Sequence, residues 1–159
     1  MPGALSLKEK NMLIRDFEFV QIYAREIGRL KDELNAFTDE PKLWKTAGEM
    51  KNSAGNLALH LCGNLNHFIG AVLGQTGFVR ERDKEFSDKN ISREELLRRL
   101  DETGKTLTAV LEKLNDDDLL KPYPLNAFGE GTKTVYVLVQ LLAHFNYHLG
   151  QVNAQRRSL

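Results

Sequence analysis

Between residues 7 and 37 the apolar positions Leu13, Phe17, Val20, Ile27, Leu30, Leu34 and Phe37 recur at spacings of three, four and seven. That period lines them along one face of a helix. Ser6 and Glu9 have the spacing of a capping box at its start, and Pro41 follows its end. A second helix is expected from Asn52 or Ser53, either of which can accept from an orphan amide, through NLALHLCGNLNHFIGAVL to about Gly74. Its apolar positions include Leu57, Leu61, Leu65, Phe68 and Val72. The third has the clearest start: Ser92 and Glu95 form an S-x-x-E capping box, with Ile91 and Leu96 at the two positions of a hydrophobic staple, and it should run to about Leu114. The fourth is expected from near Thr132 to about Arg156, with Arg156 and Arg157 where a helix C-terminus favours positive charge.

The segments between these helices are long for a bundle. GFVRERDKEFSDKN is aperiodic and mixed in charge, so it reads as a solvated connection, and NDDDLLKPYPLNAFGEG, with two prolines and two glycines, reads as turns. A 14-residue connection can extend about 46 Å, longer than the roughly 35 Å of a 23-residue helix, so crossover connections are affordable. No stretch alternates with period two, and no phosphate-binding glycine loop is present. The expected class is all-α, a four-helix bundle forming one domain over residues 1–159. In the fourth helix Val135, Val137, Leu138, Val139, Leu141, Leu142, Phe145, Tyr147, Leu149 and Val152 reach nearly all the way round. A helix of that kind is buried on more than one side, by a loop, by a second copy or by both, so a homodimer is expected.

Composition narrows the chemistry. The chain has 159 residues, with 22 Lys plus Arg balanced by 22 Asp plus Glu, so no global field favours nucleic acid or an acidic surface. A single cysteine, Cys62, excludes an intramolecular disulfide and a cysteine-based zinc site. The start, MPGALSLKEKNML, has no apolar signal region, and a cytoplasmic location is expected. The most apolar run, VYVLVQLLAHFNYHLGQV, is interrupted by Gln140, His144, Asn146 and His148, which argues for a buried helix rather than a lipid-spanning one.

All four histidines fall on two helices: His60 and His67 on the second, His144 and His148 on the fourth. Residues i and i+4 lie about 40° apart around a helix and about 6 Å along it, so the imidazoles of His144 and His148 can converge on one ion. Position 145 is Phe, which removes the glutamate of the H-E-x-x-H protease motif. The residues three before each histidine are Leu57, Asn64, Leu141 and Phe145, which excludes the Glu-x-x-His pattern of di-iron carboxylate bundles. The pair alone favours core histidines over ligands. A third ligand would change that, and either His60 or His67 could supply it, but not both, being about 10 Å apart along the helix axis.

The runs NSAGNLALHLCGNLNHFI and LLAHFNYHLGQV, together with the RERDKEFSD connection and the order of one histidine early and two late, resemble the DinB-like superfamily, four-helix proteins related to the bacillithiol and mycothiol S-transferases. The resemblance implies a metal site of His60, His144 and His148, with His67 outside it. It also implies an up-down-down-up bundle, usually dimeric, and a divalent ion such as nickel or zinc. Several relatives read H-R-G-Q where this chain has His148, Leu149, Gly150 and Gln151, so the role of that arginine is absent here.

Three nitrogen ligands leave a first-row divalent ion open positions, as in catalytic rather than structural sites. The expected chemistry is a metal-dependent transferase or hydrolase that activates a thiol or water, with a low-molecular-weight thiol as the cosubstrate the resemblance implies. The competing class is a non-enzymatic dimeric binding or stress-response protein whose metal is structural or absent. Asn64, Asn146 and Gln151 are candidates to orient ligands or substrate. Cys62 lies about 200° around the helix from His60 and should pack as a small hydrophobe. Trp44 is expected as a packing anchor at one end of the bundle.

Overall fold

The structure, a computed structural model, describes residues 19–159. Ser6, Glu9, Leu13 and Phe17, on which the start of the first predicted helix was argued, lie outside the described residues. Helix α1 (Val20–Asn35) buries Ile27, Leu30 and Leu34 of the expected stripe, together with Tyr23. Helix α2 (Ala54–Leu65) has every residue buried and passes directly into a π-helical segment, Asn66–Leu73. A short helix α3 (Arg82–Ser87) precedes α4 (Arg93–Leu111), and a second short helix, α5 (Asp116–Leu120), precedes the long α6 (Thr134–Ser158). Among the described residues there is no strand, only one isolated bridge between Pro122 and Lys133.

The helix starts follow the local chemistry of the sequence. Ser53 accepts from the Asn56 amide at 3.2 Å and Ser92 from the Glu95 amide at 3.2 Å, each satisfying one orphan donor. The Ser92 box forms by that half alone, because the Glu95 carboxylate is engaged by Arg98 and Arg99 instead. Asn115 and Asp118 make the full reciprocal box at the start of α5.

Side-chain contacts fix the direction of each long helix. Tyr23 donates to the Leu138 carbonyl at 2.6 Å near the start of α1 and α6, and Asn153 and Arg156 reach Glu33 near their ends, so these two run parallel. Arg93, at the start of α4, donates to the Phe37 carbonyl just past the end of α1, so α4 runs against α1. Gln155, near the end of α6, donates to the Asn52 carbonyl just before α2, so α2 runs against α6. The order is therefore up, down, down, up. Helices α1 and α2 sit diagonally across the bundle, each flanked by α4 and α6. The connection between α1 and α2 crosses one end of the bundle, where Trp44 anchors it by donating from Nε1 to the Ile91 carbonyl at 3.2 Å.

The core is drawn from all four long helices: Leu30, Leu61, Leu65, Leu100, Leu107, Val137 and Phe145 are among its buried side chains. Helix α6 buries Leu138, Leu141, Leu149 and Val152, yet leaves Tyr136, Val139 and Tyr147 at 49–66% exposure. No helix among the described residues is long and apolar enough to cross a membrane. The buried Tyr23 hydroxyl ties the two parallel helices together, and its loss leaves part of the Leu138 carbonyl's capacity unused. Tyr23→Phe is expected to cost about 1 kcal/mol, read as a lowered midpoint in urea with an unchanged slope.

Candidate metal centre

His60 projects from the middle of α2, and His144 and His148 project from successive turns of α6 where the two antiparallel helices meet. Phe145, the residue after His144, is fully buried in the core, while His144 and His148 face α2 from the neighbouring rim of α6. His60 Nε2 lies 3.1 Å from His144 Nε2, and His148 Nε2 lies 3.1 Å from the same atom. One ligand atom from each of the three histidines lies within 4.8 Å of the others. With metal–nitrogen bonds of about 2.0–2.1 Å, adjacent ligands of an octahedral ion sit about 3.0 Å apart and those of a tetrahedral ion about 3.4 Å apart. The two observed edges fall in that interval.

The outer nitrogens decide which protons the inner ones carry. His60 Nδ1 lies 2.9 Å from Glu85 Oε2, an ionised carboxylate that can only accept, and farther, at 3.3 Å, from Arg80 Nη2, which donates to the same carboxylate at 2.9 Å, so Nδ1 bears the proton and Nε2 the lone pair. His148 Nδ1 donates to Gln151 Oε1 at 2.7 Å, with the same result for its Nε2. Both lone pairs then point at His144 Nε2. A proton there can bridge to only one of them. It would also leave His144 Nδ1, buried and without a hydrogen-bond partner among the described residues, as an unsatisfied acceptor. No arrangement of protons on three neutral imidazoles pairs all three Nε2 atoms, whereas a cation at their convergence does; His144 Nδ1 is without a partner among the described residues in either case. The residues present therefore fit a divalent ion.

Glu85 and its neighbour Arg80 were not foreseen. The connection expected to be solvated contains α3, and Glu85 on it is 5% exposed. Mixed charge made this stretch look like surface, but two of its charges neutralise each other inside: Arg80 Nε donates to Glu85 Oε1 at 2.6 Å and Nη2 to Oε2 at 2.9 Å. Burial tends to raise the Glu85 pKa, but the hydrogen bonds from His60 and Arg80 outweigh it and hold the carboxyl below its ordinary range. Asn56, one turn before His60, anchors the same helix by donating from Nδ2 to the carbonyls of Glu85 and Asp88, both at 2.9 Å. Phe86 packs against the His60 ring at 5.0 Å between centroids. The usable signal in the sequence was chemical: a histidine ligand wants a carboxylate on its outer nitrogen, and DKEFS supplies one beside an aromatic residue.

The remaining candidates separate clearly. His67 stays out of the cluster, its ring edge-on to Phe68 at 4.7 Å. Gln151 touches a triad member, whereas Asn146 is exposed and donates to the Leu142 carbonyl of its own helix at 3.1 Å. Asn64 is buried one turn beyond His60, its Oδ1 without a partner among the described residues. Cys62 is buried, and desolvation pushes its thiol up to about 11, which suits a packing residue better than a nucleophile. A cavity of about 630 Å³ opens beside the triad, walled by Tyr147, His148 and Gln151 of α6 and by residues 47–52 of the preceding connection.

Over residues 9–157 the sequence matches the family described as Protein of unknown function (DUF1572). The chain belongs to the DUF1572 family. No curated protein matches it. In this DUF1572 chain the match spans both helices that carry the histidines, as well as the connection that carries Glu85 and Arg80.

Acid should destabilise the metal-free DUF1572 protein through these imidazoles. Burial, then the nearby charges of His148, His60 and Arg80, lower the His144 pKa to about 4, and burial also lowers that of His148. In the unfolded chain the same groups titrate near ~6.5, so between these values the unfolded state binds protons that the folded centre excludes. This contribution to stability is present above pH ~6.5 and is lost as pH falls toward the folded value. Melting temperatures of chelator-treated protein are therefore expected to fall between about pH 6.5 and pH 4. The fall should be shallower in His144→Gln.

Proposed function

We propose that this protein is a divalent-metal protein of the DinB-like superfamily, in which His60, His144 and His148 hold the ion and a small substrate enters beside Tyr147 and Gln151. The carrying observation is the convergence of three Nε2 atoms, His144 Nε2 lying 3.1 Å from each of the other two, whose outer nitrogens are held by Glu85 and Gln151. Nickel or zinc suits three imidazoles, and the family resemblance favours the same two ions. Such an ion supplies Lewis acidity at its open positions, where it lowers the pKa of a thiol or water.

The protein's own groups do the rest of the work. Glu85 and Gln151 hold His60 and His148 in the tautomer that presents Nε2, and Phe86 excludes water from one side of the His60 ring. The 630 Å³ cavity at His148 is of a size for a small molecule. Its wall is apolar over the larger part, and Glu49, Lys51 and Gln151 add polar groups that can hold the ends of a small hydrophilic thiol. The reaction proposed is transfer of a low-molecular-weight thiol, or of water, to an electrophile. A homodimer is part of the same proposal: Tyr136 and Val139 are exposed on α6, a helix whose other faces are buried.

Protein purified without a histidine tag or chelator should carry about one equivalent of nickel or zinc per chain by elemental analysis, and His148→Ala should lose most of it. Full metal content in that variant would remove the triad assignment. Sedimentation velocity should show a dimer, and Val139→Glu should shift it toward monomer with the metal content retained.

A further inference from the structure

We infer that Glu85 is a positioning residue that locks His60 in its metal-presenting tautomer, and that Gly63 is glycine to make room for it. The inference rests on the metal reading of the triad and deepens it. Three independent features converge on this one carboxylate. Its oxygens are both occupied, Oε1 by Arg80 Nε at 2.6 Å, and Oε2 by Arg80 Nη2 and His60 Nδ1, each at 2.9 Å. Its helix is pinned separately, by Asn56 on the backbone of Glu85 and Asp88. Lys89 in turn donates to Asn56 Oδ1, so the amide that does the pinning is itself oriented.

Gly63 is the third feature. It sits on α2 three residues after His60, and a Cβ there would lie 2.0 Å from Glu85 Oε1 and 2.7 Å from its Cδ. Neither distance is tolerable, so any side chain at 63 displaces the carboxylate. A salt bridge that merely fastened a connection to the bundle would need no such clearance inside a buried helix. Nor would it need to turn its second oxygen onto the outer nitrogen of a histidine whose inner nitrogen faces two others. A carboxylate at that place fixes the ring's orientation and proton and makes Nε2 a stronger donor to a metal. Because Glu85 lies on α3, the affinity of the centre is set in part by a segment that lies outside the four long helices.

The test uses the whole protein, with zinc as the probe. Nitrogen NMR of the imidazoles in metal-free wild type should show His60 as a single tautomer protonated at Nδ1. Glu85→Gln and Gly63→Ala should both mix the tautomers and weaken zinc about ten- to a hundredfold in competition with a chromophoric chelator. Alanine is the better helix former, so Gly63→Ala should keep its helical circular dichroism, and a loss of zinc there cannot be laid to a broken helix. Glu85→Asp should restore part of the affinity. Folded variants with the wild-type tautomer and zinc affinity would overturn the inference while leaving the metal reading intact. A wild-type His60 protonated at Nε2 would overturn it without any variant. Wild type that binds no zinc would instead overturn the metal reading, and the tautomer measurement would still decide whether Glu85 positions His60.

Discussion

Three imidazole nitrogens with lone pairs directed at one point repel one another unless something positive lies between them. Helices α2 and α6 cross so that the Nε2 atoms of His60, His144 and His148 meet; the outer nitrogens of His60 and His148 are committed to Glu85 and Gln151, and that of His144 has no partner among the described residues. Ordinary core histidines avoid this arrangement, because each can turn its ring or shift its proton to gain a partner. Here the rings are not free to turn. Phe86 and the other histidine rings pack around His60, while Leu141, Phe145 and Leu149 fix the rotation of α6 by filling the core behind the pair.

The topology explains how one buried helix can serve this centre from several sides. Helix α2 lies between α4 and α6, diagonal to α1, so one face is available to α6 and its histidines while another receives the connection that carries α3. Along α2, Asn56, His60 and Gly63 follow one another at near-helical intervals and meet that connection with an anchor, a hydrogen-bonded imidazole and a clearance respectively. Polar groups are admitted to this otherwise apolar helix only where each has an assigned partner. Asn64 is the exception, its Oδ1 buried without a partner among the described residues.

Much of this was legible in the sequence, and the reasons differ by element. The four long helices were visible because their apolar period persists for many turns, and Ser53 and Ser92 marked two starts with a capping chemistry that the structure repeats. The spacing of His144 and His148 declared a shared face, but it could not choose between His60 and His67. That choice came from resemblance, and the structure brings His60 alone to the pair. Glu85 and Arg80 escaped because α3 is only six residues long, too short for a period to emerge, and because a buried ion pair has the same composition as a solvated loop. The contact that matters is between residues 60 and 85, and nothing local to either announces it. Long connections signalled that crossovers were affordable, while the diagonal placement of α1 and α2 depended on packing that only the assembled core defines.

The central claim is that the three Nε2 atoms share an ion, and locating that ion tests it most directly. Crystals grown with zinc or nickel, measured at the absorption edge of the metal, should show one strong anomalous peak per chain bonded to Nε2 of His60, His144 and His148 at about 2.0–2.2 Å. A peak at His67 or at surface carboxylates, with the triad empty at saturating metal, would contradict it.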